Sequence, residues 1–190
     1  MVETEQTAAP LPVDAEQELE LLRRCAAGDA TAFNPLVTAY SSKAYHYAYQ
    51  ILRNHHDAVD AAQDAFVRAY RALPRFDLGR PFLPWYLRIL RNRCLDMIDR
   101  RKRQAERPGT EDPEEKLRVV PSKVRGPDRR VVGKEQAQRI QEMIDRLSPD
   151  HGEILHLRYF EDMSYEEIAD VLQIPKGTVM SRLFHARKKF

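Results

Sequence analysis

Two groups of residues have the types and spacing to handle nucleic acid. Arg88, Asn92 and Asp96 recur one helical turn apart with Trp85 at their head, on a different side from the apolar Ile89, Leu90, Cys94, Met97 and Ile98. Bases stack on aromatic rings while phosphates seek guanidinium groups, so such a row suits a single strand. A plainer reading fits the same residues: a lone Trp on an amphipathic helix packs into a core, and the run Arg100 to Arg103 is a solvated helix end favoured by the dipole. The second group lies near Phe190. There Lys176, Thr178, Ser181, Arg182, His185, Lys188 and Lys189 fall outside an inner stripe of Val179, Leu183, Ala186 and Phe190. A basic, hydroxyl-rich helix face reaches base edges and phosphates in a major groove.

Little else points to chemistry. The acidic residues lie on helix faces with no convergent partner, and His55-His56 lacks a third ligand at a recognised spacing, so it reads as an exposed turn. No catalytic residue, metal or cofactor is expected. Cys25 and Cys94 are too few for a disulfide scaffold and sit in apolar helical patterns as buried thiols, which fits a reducing cytoplasm.

The elements that position these groups are helices. Leu19, Leu22 and Ala26 mark a short amphipathic helix, Gly28 fits its left-handed stop and Asp29 can cap the next helix. A longer helix through Phe33, Leu36, Val37 and Tyr40 runs to Arg53, where Pro35 either kinks a helix started at Asp29 or takes its first position after an Asn34 cap. It carries Tyr40, Tyr45, Tyr47 and Tyr49, some of which must lie on the surface. Ala58, Ala61, Ala62, Ala65, Phe66, Ala69 and Leu73 then put a small-residue stripe on a third helix, opposite a charged face with Asp57, Asp60 and Asp64 early and Arg68 and Arg71 late. A loop with Pro74, Gly79 and Pro81 leads to a helix starting at Pro84. Residues 104–133 lose periodicity and read as a linker; at roughly 3.3 Å per residue it reaches up to about 100 Å, so the modules on either side need not touch. Ile140, Met143, Ile144 and Leu147 restore a helix, which Ser148-Pro149 ends and restarts through Ile154, Leu155 and Tyr159. Ser164 and Glu167 have capping-box spacing before Ile168, Ala169, Val171 and Leu172, and a turn at Gln173-Ile174 leads to the basic helix. Together these form a helix-turn-helix, with a plain helical hairpin as the alternative.

Across 190 residues the formal net charge is only +2, with 32% charged and 43% hydrophobic residues, so small cores with wide wet surfaces are expected. Acid gathers in Asp57 to Asp64 and in Glu111 to Glu115, and base in Arg88 to Arg103 and Arg182 to Lys189, which suggests more than one partner surface. Met1 to Asp14 is acidic, contains two prolines and opens no signal peptide, and no apolar run spans a bilayer.

The segment YEEIADVLQIPKGTVMSRLFHARKKF, Tyr165 to Phe190, resembles the DNA-binding region of extracytoplasmic-function (ECF, group 4) sigma factors of the sigma-70 family. DAVDAAQDAFVRAYRALPRF, Asp57 to Phe76, is similar to the family's helix that docks on the clamp helices of the largest polymerase subunit, and RPFLPWYLRILRNRCLDMIDRRKR, Arg80 to Arg103, to its minus-ten recognition and melting segment. The resemblance implies an all-α chain of two small helical domains: a disordered lead at 1–15, sigma region 2 at 16–103, a flexible linker at 104–133 and sigma region 4 at 134–190. It places Asp57, Asp60, Gln63, Asp64, Phe66, Arg68 and Arg71 at the polymerase interface. Asp77, Arg80, Phe82, Trp85, Arg88, Asn92, Arg93 and Arg100 would hold the minus-ten strand, and Lys176, Thr178, Ser181, Arg182, His185, Arg187 and Lys188 would read the minus-thirty-five duplex. The implied partners are core RNA polymerase, promoter DNA and an anti-sigma factor; the chain is expected to be a cytoplasmic monomer and no enzyme. A helix-turn-helix regulator independent of polymerase is the alternative, although such a protein has no need of the Asp57 to Arg103 segments.

Overall fold

A computed structural model of the chain describes residues 14–106 and 147–189. Residues 1–13 of the expected lead, 107–133 of the expected linker, the helix through Ile140, Met143 and Ile144, and Phe190 lie outside the described residues; the expected bounds are corrected at Asp14 and Ala15, which cap and open the first helix, and at Gln104 and Ala105, which extend the fourth. Those described are helical and contain no strand: α1 (Ala15–Ala26), α2 (Phe33–Leu52), α3 (His55–Ala72), α4 (Phe82–Ala105), α5 (Pro149–Tyr159), α6 (Tyr165–Leu172) and α7 (Lys176–Lys189).

Local chemistry sets most of the boundaries. Asp14 caps α1 by accepting the Gln17 N–H at 2.8 Å, and Gly28 at φ +99° lets the chain turn away. Leu22 and Cys25 face inward, whereas Ala26 is exposed, so the inner stripe is shifted from the expected one. Asp29 caps a 3-10 turn over Ala30–Ala32 rather than α2 itself. Pro35 is the third residue of α2 and produces neither of the expected outcomes: its missing N–H falls in the first turn, where no intrahelical acceptor exists, and α2 continues to Leu52. Arg53 ends α2 at φ 53°, and Asn54 caps α3 by accepting the Asp57 N–H at 3.1 Å. His55 and His56 therefore form the first turn of a helix, not a loop, and the His55 ring meets the Tyr45 hydroxyl at 3.1 Å. Similarly, α4 begins at Phe82 with Pro84 third, one half-turn earlier than expected.

The alanine stripe of α3 is buried, with Ala58, Ala61, Ala65 and Ala69 all at 0% exposure, and lets α3 lie close to α2 and α4. Aromatic rings fill the space the small residues leave. Phe66 stacks on Tyr86 at 4.4 Å, Phe82 on Tyr86 at 5.9 Å, and the Tyr86 hydroxyl donates to the Ala62 carbonyl at 3.2 Å. Each such ring contributes about 1.5–3 kcal/mol by leaving water. Tyr47 is fully buried and Tyr40, Tyr45 and Tyr49 are half-buried, so none of the four stands on the open surface.

In the second unit α6 starts with a complete capping box between Ser164 and Glu167 and ends with Gln173 at φ 56°. α7 follows at once, with Val179, Leu183 and Ala186 inward. The two units are not apart. α5 packs on α2 as well as on α7, and α6 packs on α4 as well as on α7. Six consecutive residues of α5, Gly152 to Leu157, are buried, as expected of a helix enclosed on every side.

Candidate nucleic-acid interface

The outward face of α3 presents Asp60, Gln63, Arg68 and Arg71 to water, with Asp64 half-buried beside them. Asp64 receives Arg68 at 3.1 Å one turn on and Arg93 of α4 at 2.6 Å. Asp57 is drawn in by Arg101 of α4, so it braces two helices instead of standing free. Val67, 47% exposed, lies among these charges and was not singled out from the sequence; an apolar side chain ringed by charge is what a protein partner desolvates. Phe66 corrects the expectation: at 7% exposure and stacked on Tyr86, it supports the face from beneath and cannot touch a partner directly.

On α4, Arg88, Asn92, Asp96 and Arg100 are exposed along one stripe. Trp85 is half-buried against Phe76 at 4.5 Å and Phe82 at 5.7 Å, leaving part of its ring accessible at the head of that stripe. Both sequence readings of Trp85 thus have a structural counterpart. Phe82 is a second correction, since at 0% exposure it is a core residue that seats Trp85. The loop before α4 is shaped by Asp77, whose side chain accepts the Gly79 N–H at 2.9 Å and whose carbonyl accepts the Arg80 N–H at 3.0 Å. Arg80 leaves this loop to pair with Asp170 of α6, and Arg93 is tied to Asp64, so these two of the four arginines in the expected set are paired within the chain.

The outer face of α7 carries exposed Lys176, Ser181, His185, Arg187 and Lys188, with Thr178 and Arg182 half-buried. Lys176 pairs with Glu166, and this hydrogen bond holds the Glu166 carboxyl below its ordinary range. Arg182 reaches Asp150 at 3.4 Å, Arg187 lies over the Tyr159 ring at 5.8 Å and Lys188 over Phe184 at 4.5 Å. Gly177 has open space where a side chain would be, which lets a backbone approach the start of the helix. Met180 and Phe184, 53% and 55% exposed, sit one turn apart beside the cations and were also missed, because the inner stripe already accounted for the apolar residues of α7. No group of three or more metal-ligating side chains occurs among the described residues. None of the described helices is long and apolar enough to cross a membrane.

The arrangement is two polar-faced units: one with a mixed-charge face beside an aromatic-headed basic stripe, the other a helix-turn-helix with a basic outer helix. Comparison with known proteins matches both. The family described as Sigma-70 region 2 matches residues 36–104, and Sigma-70, region 4 matches residues 137–190. The chain is 36% identical over 165 residues to the ECF RNA polymerase sigma factor SigW of Bacillus subtilis, covering 85% of this chain and 88% of that protein. It is 34% identical over 176 residues to the RNA polymerase sigma-H factor of Pseudomonas aeruginosa, covering 91% of each. Among solved structures, CnrH in complex with the cytosolic domain of CnrY aligns with a TM-score of 0.63 at 26% identity, over 93% of this chain and 94% of that one. The sigma factor RpoE of Bartonella quintana, solved with the anti-sigma factor NepR, shares the fold with a TM-score of 0.65 at 22% identity, over 83% of this chain and 92% of that one. The alanine-striped helix, the basic stripe and the helix-turn-helix, matched in this order over most of the chain, make it a member of the ECF RNA polymerase sigma factors of the sigma-70 family.

Proposed function

We propose that the chain is a dissociable subunit of group 4 type that directs core RNA polymerase to particular promoters, acting by binding and with no chemistry of its own. The observation that carries this reading is the presence, on one chain, of three separate exposed polar faces on α3, α4 and α7. A repressor needs only the last. The α3 face with Asp60, Gln63, Asp64 and Arg71 around Val67 meets the clamp helices of the largest polymerase subunit. Trp85, Arg88, Asn92 and Arg100 hold the opened minus-ten strand, with the Asp77 to Pro81 loop alongside. Lys176, Thr178, Ser181, Arg182, His185, Arg187 and Lys188 read the minus-thirty-five duplex. Opening DNA costs a few kcal/mol per unstacked step, more than one small helical unit recovers, so polymerase contacts and the second DNA contact supply the rest. The site of action is the cytoplasm, and an anti-sigma factor is the expected regulator, in keeping with the relatives solved with bound partners.

Run-off transcription by core polymerase on a promoter pool tests the reading, with the chain present, absent, or carrying Asp60→Lys and Asp64→Lys. Promoter-specific transcripts that need the chain and fall at least tenfold with the reversals are expected. Duplex binding without any polymerase-dependent transcript would assign it instead to free-standing regulators.

A further inference from the structure

We propose that the chain without polymerase fastens itself shut through the Glu153 carboxylate, and that this clasp is released before both promoter elements are engaged. The proposal rests on the sigma reading for what the open form does, and on the structure for what the closed form is.

Glu153 lies in the middle of α5 and is only 8% exposed. Among the described residues, the hydrogen bonds to its carboxylate come from the other unit: Oε1 accepts the Tyr47 hydroxyl of α2 at 2.8 Å and Arg91 Nε of α4 at 2.9 Å, and Oε2 accepts Arg91 Nη2 at 3.4 Å. One carboxylate therefore grips two helices across the boundary. Beside it, Glu161 meets Lys43 of α2 at 3.0 Å, and the His156 ring, 2% exposed, sits 5.8 Å from Tyr47 and 5.1 Å from Phe160. At the far end of the boundary Asp170 of α6 holds Arg80. The three contacts connect α5, the α5–α6 loop and α6 to α2, α4 and the loop before α4.

This arrangement cannot serve a promoter. Elements centred near minus ten and minus thirty-five are about 85 Å apart on straight duplex at about 3.4 Å per base pair. Here α6 touches both α4 and α7, and packed helices lie about 8–10 Å apart, so the axes carrying the two DNA faces are separated by roughly 20 Å. Arg80, in the loop expected along the minus-ten strand, is also occupied by Asp170. The closed form hence competes with promoter engagement, and it does so in cis, with no second protein. Glu153 is the residue that decides between the forms. A buried carboxylate is tolerated only with its partners, whereas in the open form it regains water, so its charge contributes to closure only while Arg91 and Tyr47 face it.

Single-molecule energy transfer on the full-length chain, with dyes at Glu16→Cys and Lys189→Cys, measures the two forms. Wild type should give one compact population in the absence of polymerase and an extended one at saturating core polymerase. Glu153→Gln should raise the extended population at least tenfold without polymerase, and the exchange Arg91→Glu with Glu153→Arg should restore the compact one. Asp170→Arg, at an exposed pair that bears no core load, should shift the population the same way by a smaller factor. A free wild type that is already extended, or variants indistinguishable from it, would overturn the clasp while leaving the sigma reading intact. Loss of promoter-specific transcription with unaltered closure would do the reverse.

Discussion

At the scale of single residues, burial and pairing decide what a side chain can do. Cys94 is fully buried between the helices of the first unit, and desolvation pushes its thiol up to about 12. Wild type treated with iodoacetamide at pH 8 should leave Cys94 unmodified in native buffer and react within minutes in urea, followed by mass spectrometry. Asp29 is the opposite case: the Thr31 hydroxyl and the Arg24 guanidinium stabilise its charged form, lowering it from 3.8 to about 2. A carboxyl depressed on folding adds stability that is complete above its unfolded value and disappears as pH falls through its folded one. The stability difference between wild type and Asp29→Asn should thus be constant above about pH 5 and shrink between about pH 4 and pH 2. Urea titrations at stepped pH check this. Phe66 and Phe82 show where residue-level reading falls short. Their motif positions were legible, but whether a ring faces a partner or a core depends on neighbours such as Tyr86 and Trp85, and no spacing rule encodes these.

At the scale of elements, caps and periodicity carried most of the information. The Ser164–Glu167 box, the Gln173 turn and the Val179, Leu183 and Ala186 stripe stand as read, because each depends on atoms within a few residues. Ser164→Ala removes the side-chain acceptor of the Glu167 N–H and half of the box, at a cost of about 1 kcal/mol. Thermal unfolding of the full chain by circular dichroism should show a corresponding fall in Tm. Helix starts were less legible. A proline suits any place in the first turn, so Pro35 and Pro84 each stand third in their helices rather than first, and the Asn54 cap recruits two histidines that read as a turn. α5 was the least legible element: a helix buried all round has no polar face to produce a period, and its Glu153 looks like solvent exposure until Arg91 and Tyr47 are seen.

For the whole molecule, what could not be read was the meeting of the two units. A linker of some thirty residues permits separation or contact equally, and only the complementarity of α2 and α4 with α5 and α6 decides it. Periodicity reports that a face is buried, never against what. The enclosure of α5 also has a consequence for how long the protein lasts. Tyr47 and His156 are hidden against each other where the units adjoin, so an open chain without a partner shows water, and every protease, unsheltered ring surface. Cleavage follows the population of the opened form when closing is fast. Molecules that open and find no polymerase are the first to be degraded, which ties the abundance of the factor to the demand for it.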